Sequence, residues 1–551
     1  MFTPRPDRAL LALITAGMVA VVLVVDPRGD FPLSDDWSYA HAAKSLCEGR
    51  GLDLLPWTGA STVLQAAYGA LTCKLWGFSF LGLRLSTLVL ALSALWAVTI
   101  LARQLDLSRA ATAAAIATLG LNPLFVNLSF SFMTDIPFLA LVLWASCLYT
   151  AGLDKRRSDL LLAGSLVAAL AILIRQHAIL VAAAAALVAV MSTGRHSKER
   201  FAAILRTAGF PMLALLGLTA SMLGGDGLPA GLSNKLGEMF SAGPVGLANT
   251  GFRTMAYVGL FLVPITIGLG RRGLSMRDMR HGATAAAVLG LTALFLYWRE
   301  SALMPYLTDV VYDFGVGART LRDELFLGHG PPVAAGDLMW MPITALALVS
   351  AAALLPPAWT CVAAPAGAGK RYLALAACLL WAGSLAHGAF YFDRYLLPVL
   401  PLLTLALLGS RPLERVGPGL VVPLALMGLF SVAGTHDHMA FNRARYTALD
   451  GLMNNGVAAT EIDGGMDFNG WHLAAKLGTW PATDDVRPGR PASEKSWWWV
   501  VDDRYVASSR PLEGYRVEHR AGYTRWLPPG RAEVLILRRT DVGRDSAARA
   551  G

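Results

Sequence analysis

Charged residues are scarce in this chain. They make up 15% of its 551 residues, whereas hydrophobic residues make up 55%. A water-soluble globular protein usually carries about 25% charged residues, so the composition argues against a soluble fold. It predicts instead an α-helical polytopic protein that is embedded in a lipid bilayer.

The sequence also lacks the patterns of common cofactor-binding folds. Residues 268–273 fit G-x-G-x-x-G but follow an apolar run and enter a basic loop, without a βαβ context. Residues 367–371 lack the first glycine and the Ser/Thr of a phosphate loop. The five cysteines have no metal-ligand spacing. Cys47 and Cys73 share one loop, where either a disulfide or two free thiols fits the sequence.

Long apolar runs occur throughout the first 435 residues. A helix needs about 20 apolar residues to cross a bilayer, and we find about thirteen candidate stretches. They lie at roughly 9–25, 83–101, 110–126, 136–151, 160–174, 178–193, 207–223, 254–270, 283–298, 339–356, 372–389, 395–410 and 420–435.

The net charge of +9 does not indicate a nucleic-acid partner, because the basic residues fall in short loops between these stretches. Examples are residues 155–157 and 271–280. The positive-inside rule places such loops and the N-terminus in the cytoplasm. With thirteen spans, the C-terminal region lies outside the cell, so we predict a multi-pass protein of the plasma membrane.

Three regions follow from this topology. Residues 1–435 form the predicted transmembrane domain, whose first outer loop covers residues 26–82. Residues 436–540 contain short runs rich in β-branched and aromatic residues, such as GYRVEHRAGYTRW and AEVLILRR, which predict a small extracytoplasmic α/β domain. Residues 541–551 are predicted to be a disordered tail.

Acidic residues stand at the outer ends of two predicted spans. Asp35 and Asp36 follow the first span beside Trp37 and Tyr39, and Asp135 opens the fourth span in FMTDIPF. One interpretation is that these acids cap helices or lie in a solvated loop. The other is that they are catalytic, with one carboxylate as a general base and the two aromatic residues in contact with substrate.

Basic residues stand at the same level. Arg175 and His177 lie in a tight outer connection, ILIRQHAIL, and Arg394 and Tyr395 lie at the outer end of the twelfth span, in DRYLLPVLPLL. The arginines could extend to lipid headgroups or pair with a neighbouring acid. Alternatively, these four residues bind a substrate phosphate, which the planar guanidinium group of arginine suits well.

The order and sidedness of these motifs resemble the polytopic GT-C glycosyltransferases. This group includes the lipid A aminoarabinose transferases, the protein O-mannosyltransferases and related bacterial family 39 and Rgt-type proteins. The resemblance rests on SDDWSYAHAAKSLCEGRG after the first span, FMTDIPF, the outer Arg175 and the late DRYLLPVLPLL. It covers roughly residues 10 to 435 and the general plan of the tail.

The resemblance implies a GT-C fold and a glycosyltransferase that takes a sugar from a polyprenyl-phosphate donor. The acceptor would be an envelope glycan, lipid or protein on the outer face of the membrane. By the same resemblance Asp35, or the adjacent Asp36, is the base and Asp135 a second acid, while Arg175 and Arg394 hold the lipid phosphate. Direct displacement by the acceptor would invert the anomeric centre. Neither the sugar nor the acceptor can be read from the sequence.

Two questions stay open at this point. Asp35, Asp36 and Asp135 could bind Mg²⁺ or Mn²⁺, but adjacent aspartates do not easily face one ion, so we expect no required metal. The alternative functions are a transporter and a ligase or polymerase of lipid-linked saccharides. A transporter would place ionisable groups near the bilayer midplane, whereas the charges here cluster at the outer boundary.

Overall fold

The computed structural model describes residues 8–193, 196–224, 243–270, 276–307, 309–325, 336–363, 367–411, 413–477, 499–500 and 502–540. Helices dominate these residues. They are α1 (Arg8–Val25), α2 (Asp36–Cys47), α3 (Val63–Trp76), α4 (Phe80–Gln104), α5 (Arg109–Gly120), α6 (Pro123–Ser129), α7 (Asp135–Asp154), α8 (Ser158–Ile172), α9 (Ile179–Met191), α10 (Ser197–Gly224), α11 (Pro244–Phe261), α12 (Val263–Leu269), α13 (Met276–Glu300), α14 (Arg322–Leu325), α15 (Asp337–Ala363), α16 (Ala368–Ser384), α17 (Val399–Ser410), α18 (Pro418–Asn454), α19 (Met466–Asn469) and α20 (Ala475–Leu477).

Many of these helices are apolar enough to cross a membrane, and the chain is a multi-pass helical membrane protein. Within the described residues, eight helices pass on length and hydropathy, or ten if each of two bent pairs is one span. The bent pairs are α5 with α6, at 57°, and α12 with α11, at 60°. Segments Ser158–Ile172 and Gln176–Met191 are apolar but shorter. The predicted number of thirteen spans is therefore not confirmed.

Small residues bring the apolar helices close together. A side chain at Gly259 in α11 would meet the backbone of α15 at Ala347 and Ala351. A side chain at Gly152 in α7 would likewise meet Leu161 in α8. Such contacts stabilise helix pairs in a bilayer, where apolar burial alone gives little driving force between helices. The result is a packed bundle in which α7 contacts α4, α8 and α16.

The first outer loop contains two helices, α2 and α3, which a disulfide between Cys47 and Cys73 joins. The segment that leads into α2 is held by Arg84 of α4. Its buried guanidinium group donates to the carbonyl oxygens of Pro27, Gly29 and Phe31, at 2.5, 3.0 and 2.9 Å. The chain that carries Asp35 is thereby anchored to the outer end of α4.

The chain between α13 and α14 contains a short ribbon of β1 (Val311–Tyr312) and β2 (Gly315–Val316). Asp393 anchors its start, because its carboxylate accepts hydrogen bonds from the backbone N–H groups of Val310 and Val311, at 3.1 and 2.8 Å. Gly317, with φ at +111°, lies directly against His438 of α18. A Cβ atom at this position would collide with His438, and the positive φ would strain any residue other than glycine.

A four-stranded sheet lies beyond the bundle. Its strands are β3 (Ile462–Asp463), β4 (Tyr505–Ser508), β5 (Tyr515–Trp526) and β6 (Pro529–Arg539), in the order β3-β4-β6-β5. β3 pairs with β4 in parallel, and the other pairs are antiparallel. The runs GYRVEHRAGYTRW and AEVLILRR thus lie in β5 and β6, as predicted.

α18 connects the bundle to this sheet. It runs without a break from Pro418 to Asn454 and packs against β5. The predicted domain boundary at residue 435 therefore lies inside a helix. The predicted disordered tail, residues 541–551, lies outside the described residues.

Candidate active site

Asp35 stands at the N-cap position of α2, but its carboxylate makes no cap hydrogen bond. Its Oδ1 accepts from the indole N–H of Trp57 at 2.9 Å, and its Oδ2 lies 3.4 Å from Nη2 of Arg394. Its side chain is 20% exposed. The capping interpretation therefore does not account for Asp35, whose carboxylate faces a cation from a distant part of the chain.

Asp36 has a different environment from Asp35. It is buried, and its two carboxylate oxygens accept from the backbone N–H groups of Leu33 and Phe132, at 2.7 and 3.0 Å. Burial raises the pKa of Asp36 to about 7, and the two N–H donors oppose that shift. Asp36 thus joins the first outer loop to the segment before α7. The prediction that groups it with the catalytic acids does not fit this geometry.

Asp135 and Arg175 form a second pair. Asp135 is the first residue of α7, its side chain is 1% exposed, and Oδ2 lies 2.9 Å from Nη2 of Arg175. Arg175 also donates from Nε to the hydroxyl of Thr134 at 2.8 Å. Neither Asp135 nor the N-cap residue Thr134 makes a side-chain cap bond in α7. The acid instead neutralises a cation from the connection between α8 and α9.

Arg394 contacts a third carboxylate, which the sequence motifs did not indicate. Its Nε lies 3.5 Å from Oδ2 of Asp309, in the loop before β1. Burial raises the pKa of Asp309 to about 6, while Arg394 opposes that shift. Asp309 lacks the helix-start position that marked Asp35 and Asp135. Only the fold of its loop, anchored by Asp393, brings it here.

Both arginines line one cavity at the end of the bundle that is predicted to face outward. Tyr39, Phe138, His177, His387 and Tyr395 also line it. Asp35 and Asp135 contact the two arginines but are not among the cavity's lining residues. The side chains of Arg175 and Arg394 are only 13% and 6% exposed. Side chains buried and paired in this way do not fit the interpretation that they extend to lipid headgroups.

Aromatic and imidazole rings form one wall of the cavity. The rings of His177 and His387 stack with centroids 5.1 Å apart, and His387 lies 4.5 Å from the ring of Tyr395. Nδ1 of His387 is 2.9 Å from the carbonyl oxygen of Ser384. His387 was missed in the sequence because it stands alone near the end of an apolar helix. Its only signal is its position shortly before the DRY motif.

Tyr39 and Trp37 were predicted together but are placed apart. Tyr39 is buried at the cavity wall. Trp37 is fully buried in an aromatic cluster, with ring centroids 6.1 Å from Trp57 and 5.2 Å from Trp499. Residues two positions apart lie on opposite sides of a helix, so only one of the two rings can face the cavity. The structure does not bring Trp37 to it.

The carboxylates face arginines rather than one another. Among the described residues, no group of three or more His, Cys, Asp or Glu side chains is arranged to hold a metal ion. Three carboxylates and two guanidinium groups therefore form the charged part of the site. Such a cluster can accept a proton at a carboxylate and bind an anion at the arginines.

One family model and three solved structures are similar to the chain. Residues 63–216 match the family model described as dolichyl-phosphate-mannose-protein mannosyltransferase. The match covers α3 to most of α10, and it contains Asp135 and Arg175 but neither Asp35 nor Arg394. Over residues 63–216 the match agrees with the predicted resemblance to the GT-C glycosyltransferases. No curated protein matches the chain.

Three solved structures are similar at low identity. ArnT from Cupriavidus metallidurans in the apo state has a TM-score of 0.40 at 12% identity, over 82% of this chain and 65% of that one. The same protein bound to undecaprenyl phosphate has a TM-score of 0.38 at 13% identity, over 82% of this chain and 66% of that one. The third structure is the archaeal oligosaccharyltransferase AglB from Archaeoglobus fulgidus in complex with an inhibitory peptide and a dolichol-phosphate. It has a TM-score of 0.41 at 13% identity, over 80% of this chain and 58% of that one. The chain thus spans less than two thirds of the length of each.

Proposed function

We propose that this chain is a membrane glycosyltransferase that takes a sugar from a polyprenyl-phosphate donor and transfers it to an acceptor on the outer face of the plasma membrane. One observation carries this proposal. Two arginines from distant parts of the chain, Arg394 buried and Arg175 with a side chain 13% exposed, line a single cavity, and each is paired with a carboxylate. The family match over residues 63–216 supports the same reaction class.

The arginines would bind the phosphate of the donor. A phosphodiester at the cavity wall offers oxygens to both arginines. Without a donor, Arg175 contacts Asp135. Arg394 contacts Asp35 and Asp309. Binding would exchange these partners, because phosphate accepts paired hydrogen bonds from a guanidinium group. Asp35, released from Arg394, would then be available to a second substrate.

The transfer step follows from this arrangement. The acceptor hydroxyl oxygen forms a bond to the anomeric carbon, and the bond from that carbon to the phosphate oxygen breaks. The hydroxyl proton passes to the carboxylate of Asp35, and polyprenyl phosphate leaves as an anion beside the arginines. Charge stabilisation on the leaving phosphate contributes on the order of a few kcal/mol per donor group. Attack opposite the leaving group inverts the anomeric centre.

The other residues would hold this geometry. Asp135 orients Arg175, and Asp309 helps to position Arg394 before the donor binds. His177, Tyr39 and Tyr395 would contact the sugar or the phosphate from the cavity wall. The arginines supply the charge stabilisation, so we propose a reaction that does not require Mg²⁺ or Mn²⁺. The acceptor class, whether glycan, lipid or protein of the envelope, is left to experiment.

The test is an Asp35→Asn variant of the full chain. Cells that produce it are compared with wild type by mass spectrometry of envelope glycans, and membranes are assayed with a labelled polyprenyl-phosphate sugar. We expect transfer to fall by about 10²- to 10⁴-fold, as for the loss of a general base. Asp53→Asn, at an exposed acid of the same loop, is the control and should keep full transfer. Equal transfer by the Asp35 variant and wild type would refute the assignment of Asp35 as the base.

A further inference from the structure

A second polar cleft lies on the outer side of the molecule, which we name the outer cleft. It opens between the β1–β2 loop, the outer part of α18 and the hairpin of β5 and β6. Its walls include Tyr312, Arg319, Glu324, Phe441, Tyr523 and Arg531. None of its lining residues also lines the active-site cavity. The proposed reaction leaves these residues without a role.

The hairpin is fixed against α18, so the cleft has a defined width. The carboxylate of Asp437 accepts from the backbone N–H groups of Trp526 and Leu527, at 2.8 and 2.7 Å. The ring of His436 stacks on Trp526, with centroids 3.8 Å apart. Polar groups that hold a wall in place reduce the cost of ordering it when a ligand binds.

One wall of the cleft presents a guanidinium group beside an aromatic ring. Arg319 lies over the ring of Tyr312, 5.4 Å from its centroid. Nε of Arg319 is buried, and it has no hydrogen-bond partner among the described residues. A buried donor without a partner is costly, which favours a ligand that supplies an acceptor.

The cleft lining also includes two further rings and a carboxyl group. Phe441 and Tyr523 contact each other with centroids 5.9 Å apart. Burial raises the pKa of Glu324 to about 7, so near neutral pH its carboxyl group can donate or accept a hydrogen bond. Arg531 is an exposed residue of the lining. The cleft therefore offers donors, acceptors and aromatic faces together.

These groups match the chemistry of a saccharide. Sugar hydroxyls both donate and accept hydrogen bonds, and the C–H faces of a sugar ring pack on aromatic side chains. A peptide ligand would gain more from apolar side-chain pockets or strand pairing, whereas this lining is built around arginine, carboxyl and tyrosine groups.

The outer cleft is close to the active site along the chain. Asp309 contacts Arg394 in the active site, and Tyr312, three residues later, lines the cleft. Three residues of extended chain span about 10 Å. One loop therefore contributes residues to both sites.

We propose that the outer cleft binds a saccharide, namely the sugar residues of a glycan acceptor that lie away from the reacting hydroxyl. This inference rests on the proposed function, and it narrows the acceptor from glycan, lipid or protein to a glycan-bearing molecule. Arg319 and Arg531 bind hydroxyl or carboxylate oxygens, and Tyr312 and Tyr523 pack on the sugar rings.

The test measures saccharide binding to the full chain in detergent by saturation-transfer difference NMR. The probes are neutral and uronic-acid-containing tetrasaccharides, with Ser/Thr-rich decapeptides as the competing class. We expect at least one tetrasaccharide to give a signal that falls at least fivefold in the double variant Arg319→Gln, Arg531→Gln. The control is Arg516→Gln, at an exposed arginine of β5 outside the cleft, and it should keep the signal.

Three results would overturn the proposal: no signal from any tetrasaccharide, an equal signal in the double variant, or a signal from the peptides alone. The Asp35→Asn variant separates this inference from the proposed function. It should lose transfer and keep the saccharide signal. A chain that binds tetrasaccharides through the cleft yet transfers no sugar would contradict the proposed function and leave the cleft assignment intact.

Discussion

Arg394 contacts carboxylates from two outer loops, Asp35 before α2 and Asp309 before β1. A guanidinium group can do this because its donors point in fixed, different directions. A lysine would keep the positive charge but present it at a single point. The shape of the arginine, and not its charge alone, therefore joins the two loops at the proposed active site.

Replacing Arg394 with lysine tests this. We expect transfer from a labelled polyprenyl-phosphate sugar to fall by about 10²-fold, because one set of directed donors to the phosphate is lost. Arg50→Lys, at an exposed arginine of the first outer loop, should leave transfer unchanged. Full activity in the Arg394 variant would mean that charge alone is sufficient at this position.

At the scale of elements, α2 and α3 depend on each other. The disulfide between Cys47 and Cys73 closes a loop with a sequence separation of 26 and holds the two helices together. α2 begins directly after Asp35, so its position sets the place of that carboxylate. Apolar packing of the bundle contributes less here, because the loop lies outside the predicted spans.

We expect the double variant Cys47→Ser, Cys73→Ser to be less stable by about 2–4 kcal/mol, since the cross-link no longer restricts the unfolded chain. The measurement is thermal unfolding of the purified protein in detergent, with and without reductant. Cys378→Ser, at a free cysteine, is the control and should melt like wild type. Reductant should lower the melting temperature of the wild type but not that of the double variant. A wild-type melting temperature that reductant does not change would count against a stabilising disulfide.

The elements also show how far the sequence was informative. Apolar runs predicted helices at the right places, because apolar helix positions are readable from length and composition alone. The number of spans could not be predicted from the sequence, because two helix pairs, α5 with α6 and α11 with α12, bend sharply. Asp35, Asp135, Arg175 and Arg394 were identifiable because each stands at a span end. Asp309 and His387 were not, since only tertiary packing brings them to the site.

At the scale of the whole molecule, several buried acids make stability depend on pH. Burial raises the pKa of Asp36 and Glu324 to about 7 and that of Asp309 to about 6. In the unfolded chain these groups titrate near 4. The folded state thus binds more protons between about pH 4 and 7, and the stability they contribute is lost as the pH rises through that window.

We therefore expect the melting temperature of the purified protein to fall as the pH is raised from about 6.5 to about 7.5. Below that window burial lowers the pKa of His438 to about 3 and that of His472 to about 4, and this acts in the opposite sense. Glu324→Gln should flatten part of this dependence, because its amide does not ionise. Glu513→Gln, at an exposed acid near β5, serves as the matched control and should follow the wild-type curve. A melting temperature that rises with pH over this window would contradict the assignment of these buried acids.

The length of α18 links the bilayer to the sheet. At about 1.5 Å per residue, its 37 residues extend about 55 Å, which exceeds the hydrocarbon thickness of a membrane. Its inner part crosses the bundle and its outer part supports β5. We expect a change in the tilt of this helix, imposed by a thicker or thinner bilayer, to move the sheet that packs against it. The position of the β5–β6 hairpin should then depend on the lipid composition of the membrane.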